Sequence, residues 1–182
     1  MLEATEDQPI GWVIRLTYFT GMRLGEISNL TWDMIRLEDE PFINLPKEIT
    51  KSSTSRDIPL GKKAMLIIRQ LEQCLEQKKK QFPAIFNDLP EYKTHVLIKK
   101  RGWGQYKKRS IQDMFRKVMR QEGLPEELTF HCLRHSFATH VLPKSGNLIG
   151  VSKILGHSTT QVTQQFYDHT TALNYRDVAD LI

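Results

Sequence analysis

Apolar side chains recur at helical spacing along parts of this chain, and the breaks in that spacing mark out its elements. Residues 10–19, IGWVIRLTYF, carry apolar groups at 10, 13, 14, 16 and 19, the spacing that gathers side chains on one face of a helix. Thr20-Gly21 interrupts the run, and MRLGEISNL restarts a helix with Leu24, Ile27 and Leu30 on one side. The texture then changes to three short segments, Trp32–Leu37, Phe42–Leu45 and Asp57–Leu60, separated by polar turns bearing Pro or Ser. Such segments predict a small antiparallel sheet. KSSTSR, residues 51–56, reads as a hairpin loop.

Helical spacing then returns. Lys62–Gln81 predicts a long helix ended by Pro83, and residues 84–109 are irregular and basic. Arg109–Glu122 is amphipathic and is closed by Gly123 and Pro125, a common helix-stop signal. Residues 130–142 predict a helix that stops before Pro143, because proline lacks the N–H that a helix interior needs. Ser145-Gly146-Asn147 is a turn, residues 148–155 a short helix and Gly156 a break; two further helices are expected over 162–167 and 171–182. No repeat or low-complexity tract divides the chain. The pattern predicts one domain over residues 1–182, mainly α with a small antiparallel β-sheet, an α+β fold.

Composition narrows the class. With 40% hydrophobic and 26% charged residues, the chain is too apolar to be disordered. No apolar run nears the roughly 20 residues of a membrane span. Cys74 and Cys132 lie far apart with no CxxC spacing, which argues against a disulfide scaffold or a zinc cluster. The net charge of +5 is concentrated in the middle third, at Lys78–Lys80, Lys99–Arg101 and Lys107–Arg109, with Trp103 and Tyr106 among them. A basic surface interleaved with aromatics suits a polyanion, although a solubilising face has the same composition.

Four features carry candidate chemistry. In TGMRLGE, Arg23 and Glu26 stand three apart on the predicted helix, where the carboxylate can orient a cation; a surface ion pair has the same pattern. In HCLRH, His131 and Arg134 share a face, pairing a guanidinium fork for phosphate oxygens with an imidazole able to move a proton near neutral pH. His135 reads as a core histidine satisfied by a hydrogen bond. Residues 154–169, ILGHSTTQVTQQFYDH, place His157 after a glycine and Tyr167 beyond it. The same stretch fits a helix-turn-helix with Thr160, Gln161 and Gln164 at base edges. Lys51, in the hairpin loop, is the fourth. Together these residues compose a phosphoryl-transfer site that needs no metal or cofactor: cations neutralise a growing phosphate charge while a tyrosine attacks phosphorus. The acidic residues show no grouping that suggests a two-metal nuclease.

The order of these motifs resembles the tyrosine recombinase (phage integrase) family: Arg in TGxRxGE, Lys in a hairpin before an IPL strand, HxLRH, LGH and a terminal Tyr-x-His. The match runs from about residue 10 to about residue 170. The resemblance implies the catalytic-domain fold of that family and a site-specific DNA strand transferase, independent of ATP and metal. Arg23 and Arg134 would grip the scissile phosphate and His157 would hydrogen-bond it. Tyr167 would attack, leaving a 3′-phosphotyrosine and a 5′-hydroxyl. His131 would accept a proton and Lys51, with Lys47 as its local competitor, would protonate the leaving oxygen. Glu26 would be a supporting acid; Tyr175 is a second candidate nucleophile by residue type, but it lacks the flanking pattern and is expected to pack the last helix. Double-stranded DNA is the implied partner, bound as a homotetramer, with the isolated chain a monomer or weak dimer; the protein would be cytoplasmic and DNA-associated, bacterial or phage-encoded. Family members usually carry a further N-terminal DNA-binding domain, so the chain is expected to be the C-terminal part of a larger integrase, with weak DNA affinity on its own. Residues 171–182 are expected to form a C-terminal helix or tail that packs in cis or on a neighbouring subunit.

Overall fold

The computed structural model describes residues 5, 8–88, 95–99, 105–157, 159–161 and 163. Helix α1 (Pro9–Thr20) lies at the centre because it is apolar around most of its circumference: Ile10, Val13, Ile14 and Leu16 are all buried. Thr17 and Thr20, also buried, donate their hydroxyls to the carbonyls of Val13 and Leu16 one turn back. Gly21 ends the helix with φ of 67°, and its N–H returns to the Thr17 carbonyl. A Cβ at this position would meet Phe137 Cδ1 at 2.7 Å and Leu155 Cδ2 at 2.9 Å, so glycine is required both by conformation and by space.

A short helix α2 (Leu24–Ser28) and a 3₁₀ turn (Trp32–Met34) lead into a three-stranded antiparallel sheet of order β1-β2-β3, with β1 at Ile35–Arg36, β2 at Phe42–Leu45 and β3 at Arg56–Pro59. In β2 and β3, Ile43 pairs with Ile58 and Asn44 with Asp57. Ile43, Leu45 and Ile58 are buried while Asn44 and Asp57 face outward, the alternation expected of a sheet with one wet side. The long helix α3 (Lys62–Gln81) buries Ala64, Ile67, Ile68, Leu71 and Leu75 along one stripe. It is followed by α4 (Pro83–Asp88) and α5 (Lys108–Gln121), which buries Ile111, Phe115, Val118 and Met119. Helices α6 (Phe130–Ser145) and α7 (Leu148–Leu155) close the described fold, packing Phe137, Ala138 and Leu142 against Val151 and Leu155. Among the described residues no helix is long and apolar enough to cross a membrane.

Several boundaries differ from the sequence expectation. The first predicted strand is mostly a 3₁₀ turn, since Met34 N–H bonds back to the Thr31 carbonyl before the chain extends. Arg56 belongs to β3 rather than to the hairpin loop, paired with Leu45. Part of the region expected to be irregular is helical, because Pro83 opens α4 at a position where a missing N–H costs nothing. Helix α6 runs through Pro143 to Ser145 instead of stopping before it. Pro143 and Thr139, whose carbonyl would have received the missing N–H, both lie on the exposed side, where water can satisfy that carbonyl. The helices expected over 162–167 and 171–182 lie largely or wholly outside the described residues; Thr160, Gln161 and Thr163 are helical.

Candidate active site

Arg23 is the N-cap of α2 and not part of its helical face, as the i, i+3 reading supposed. Its backbone N–H donates to Glu26 Oε2 at 2.7 Å, and its guanidinium Nη1 donates to Glu26 Oε1 at 3.2 Å. Glu26 is 1% exposed, which removes the reading of a surface ion pair. A second guanidinium, Arg56 from β3, grips the same carboxylate through two bonds of 2.9 and 2.7 Å. Burial alone would raise the Glu26 carboxyl, but the hydrogen bonds and charge of Arg56, and then Arg23, hold it below the ordinary carboxylate value. It stays ionised between two arginines.

The C-terminus of α7 is where the arginines converge. Three successive carbonyls there accept from three guanidiniums drawn from distant parts of the chain. Arg56 Nε donates to Ile154 at 2.8 Å, Arg134 Nη2 to Leu155, and Arg23 Nη2 to Gly156 at 3.0 Å. The last carbonyls of a helix lack intrahelical partners and carry partial negative charge, so cations suit this end. Arg134 also donates Nη1 to the Gly21 carbonyl at 2.6 Å, joining the ends of α1 and α7. It is buried, and its pKa is pulled down to about 9 by burial and then by repulsion from Arg23, against the attraction of Glu26. It remains charged at neutral pH.

On α6, Phe130, Leu133 and Phe137 turn to the core, and His131 comes to the surface beside Arg134. His135 is half-buried rather than in the core; its ring meets that of His131 edge to face at 4.6 Å between centroids. Partial burial first, and then the positive charges of His135, Arg134, Arg23 and Lys51, hold the His131 imidazole below its ordinary pKa. It is therefore neutral near pH 7 and able to accept a proton.

An open cleft of about 470 Å³ is lined by Arg23, Glu26, Lys51, His131 and Arg134, with Lys108 and Gln112 from α5. Lys51 reaches it from the β2–β3 loop, which Thr50 ties together: the Thr50 hydroxyl donates to the Thr54 carbonyl at 2.9 Å and accepts the Thr54 N–H at 3.2 Å. Lys47, its local competitor, is not among the lining residues. His157 lines a second hollow of about 550 Å³ with Ser52, Thr54, Arg56 and Lys153. It follows Gly156, and its Nδ1 lies 2.8 Å from the hydroxyl of the buried Thr163. Burial, then Arg134 and Arg23, bring its pKa to about 4, so the ring is neutral.

Of the residues expected from sequence, Arg23, Glu26, Lys51, His131 and Arg134 share one cleft, and His157 lies within the electrostatic reach of both arginines. Tyr167 lies outside the described residues, as do Tyr175 and residues 171–182. Arg56, Thr163 and Gln112 went unnoticed, and Lys108 was counted only in a basic surface, not at the site. The signal available for Arg56 was a basic residue at the hairpin's end before IPL; for Lys108, it was the basic run opening an amphipathic helix. Among the described residues, no group of three or more His, Cys, Asp or Glu could hold a metal ion.

Comparison with known proteins places similarity along the whole described fold. Residues 2–173 match the model of the Phage integrase family. The chain is similar to the tyrosine recombinase XerD of Listeria innocua serovar 6a, with 32% identity over 168 residues, covering 91% of this chain and 52% of that protein. Among solved structures, the XerA recombinase superposes with a TM-score of 0.72 at 22% identity, over 99% of this chain and 59% of that one. The XerH site-specific recombinase bound to difH substrate, a pre-cleavage complex, superposes with a TM-score of 0.65 at 24% identity, over 86% and 42%. The chain spans about half the length of the curated relatives it matches.

Proposed function

Since the chain belongs to the phage integrase family, we propose that it is the catalytic domain of a site-specific tyrosine recombinase, cutting and rejoining double-stranded DNA through a 3′-phosphotyrosine. The observation that carries this reading is the convergence of Arg23, Lys51, His131 and Arg134 on one cleft. A guanidinium pair held in place before substrate arrives can stabilise the charge that grows on a phosphodiester in the transition state.

In this reading the Tyr167 oxygen attacks phosphorus and passes its proton to neutral His131. The bond to the 5′-oxygen breaks, and Lys51 supplies the proton that makes it a hydroxyl. A phenol has a pKa of about 10, so the surrounding cations also ease its ionisation. His157 donates to a phosphate oxygen from Nε2, the tautomer in which Nδ1, 2.8 Å from the Thr163 hydroxyl, accepts from that hydroxyl. Rejoining is the same exchange run by a different 5′-hydroxyl, so the phosphodiester energy is retained and ATP has no step to drive. The cations occupy the role that metal ions fill in other phosphoryl-transfer sites. On DNA the active species is a homotetramer, in keeping with the two-strand exchange such chemistry serves.

The test uses a pool of nicked duplexes randomised around the nick. Incubation with the protein gives a covalent protein–DNA band on a denaturing gel, persisting in EDTA and absent for Tyr167→Phe. Sequencing the captured DNA yields the site. Reversible binding with no covalent band would instead favour a helix-turn-helix module over residues 148–167, and a band that requires added metal would refute the proposed chemistry.

A further inference from the structure

One guanidinium, Arg56, does not itself line the cleft that Arg23 and Arg134 share, yet it bonds to Glu26, which holds Arg23, and to the end of α7, where Arg134 is held. Arg56 is 8% exposed at its side chain. It makes two bonds to Glu26, which in turn holds the backbone and guanidinium of Arg23. Its third donor, Nε, caps Ile154 at the end of α7, three residues before His157. Its stem lies across Gly156: a Cβ there would meet Arg56 Nη1 at 3.0 Å and Cδ and Cζ at 3.1 Å. The glycine of the LGH motif thus has two separate reasons to be glycine, a φ of 62° and the guanidinium pressed against its α-carbon.

We propose that Arg56 is the positioning residue of this site, a strut that fixes Arg23 through Glu26 and His157 through the end of α7. The inference rests on the recombinase reading for what is positioned, but its contacts stand independently of it. Arg56 begins β3, directly after the loop that carries Lys51, so the same strut also sets that loop against the arginine pair. Three groups from separate segments are thereby referred to one guanidinium. Only arginine can do this: lysine retains the charge but lacks the planar fork that serves a carboxylate with two donors while a third donor serves a carbonyl.

The variant to make is Arg56→Lys, which leaves Glu26 with a cationic neighbour. Three quantities are measured: melting temperature, DNA affinity in a Tyr167→Phe background, and the single-turnover rate of covalent complex formation on DNA captured by the wild type. A fourth, amide exchange at Gly156 and His157, involves no reaction; these N–H groups bond to Lys153 and Ser152 carbonyls at 2.9 and 3.1 Å. Arg56→Lys is expected to slow cleavage at least tenfold at saturating DNA, in line with the roughly 10²-fold that a misplacement of about 1 Å can cost. Affinity should change less than about threefold, and exchange at the two amides should accelerate at least about tenfold. Cleavage within twofold of wild type, or unchanged exchange, overturns the proposal. So does a cleavage loss matched by an equal loss of affinity, which marks a merely structural residue. Should Arg56→Lys fail to fold, the double variant Glu26→Gln with Arg56→Gln leaves no buried carboxylate unpaired; it must show the same cleavage defect, and full cleavage would overturn the strut. If the wild type itself forms no covalent complex, the recombinase reading fails, while the exchange measurement still decides whether Arg56 holds the end of α7.

Discussion

Arg134→Met asks whether a buried arginine can serve catalysis without being a pillar of the fold. The substitution keeps an unbranched stem and removes the charge and both hydrogen bonds, to the carbonyls of Gly21 and Leu155. Bonds from a charged donor are each worth about 1.5–3 kcal/mol, so their loss should cost about 3–6 kcal/mol. Against this stands the cost of holding the charge where it is. A fall in pKa from 12.5 to about 9 corresponds to about 5 kcal/mol, at about 1.4 kcal/mol per pH unit. The two effects nearly cancel, and the net change in stability should lie within about 2 kcal/mol of zero. For a chain of this size that moves the melting temperature by no more than about 8 °C. Catalysis has no such offset: removing a preorganised donor to a developing oxyanion costs about 10²–10³-fold. Calorimetry gives the first quantity and single-turnover cleavage at 25 °C the second. A melting temperature lower by more than about 12 °C, or cleavage within tenfold of wild type, would show that Arg134 is retained for the fold and not for phosphate.

Lys51→Ala should slow cleavage about 10²–10⁴-fold, the usual share of a general acid. A duplex with sulfur as the 5′-bridging atom, whose thiolate leaves without a proton, should restore the rate to within tenfold, and no rescue would exclude the acid role. His157, with its folded pKa brought to about 4 from an ordinary value near 6.5, binds its proton less readily folded than unfolded; its contribution is present above about pH 6.5 and is lost as pH falls toward 4, by up to about 1.4 kcal/mol per pH unit. The melting-temperature advantage of wild type over His157→Gln should therefore shrink between pH 7 and pH 5, and an advantage that grows on acidification would contradict the burial argument. Gly156→Ala should destabilise by at least about 1–2 kcal/mol from the left-handed backbone alone, with more from the crowding of Arg56, as read by thermal melting; a neutral effect would mean that the end of α7 gives way easily.

What the sequence determined unaided is what nearest neighbours determine. Three-and-four spacing located α1, α3 and α5, short segments between polar turns located β2, and the order of short motifs picked out Arg23, Lys51, His131 and Arg134, which line one cleft, and His157, which lines a second hollow. Where local rules misled, the cause was also local: Pro143 forfeits its one bond on a wet face, so the helix continues past it. The tertiary structure decided what depends on meetings across the chain. Arg23 bonds to Gly156, 133 residues away, and Arg56 bonds to Ile154 across 98; no spacing rule reaches that far. Glu26 looked like half of a surface ion pair and is a buried carboxylate between two guanidiniums. A residue's type and its near neighbours report what it can bond to, but which buried carbonyls lack a partner is known only once α7 has come to rest against β3 and α6. The three arginines at the end of that helix answer a demand that exists only in the folded chain.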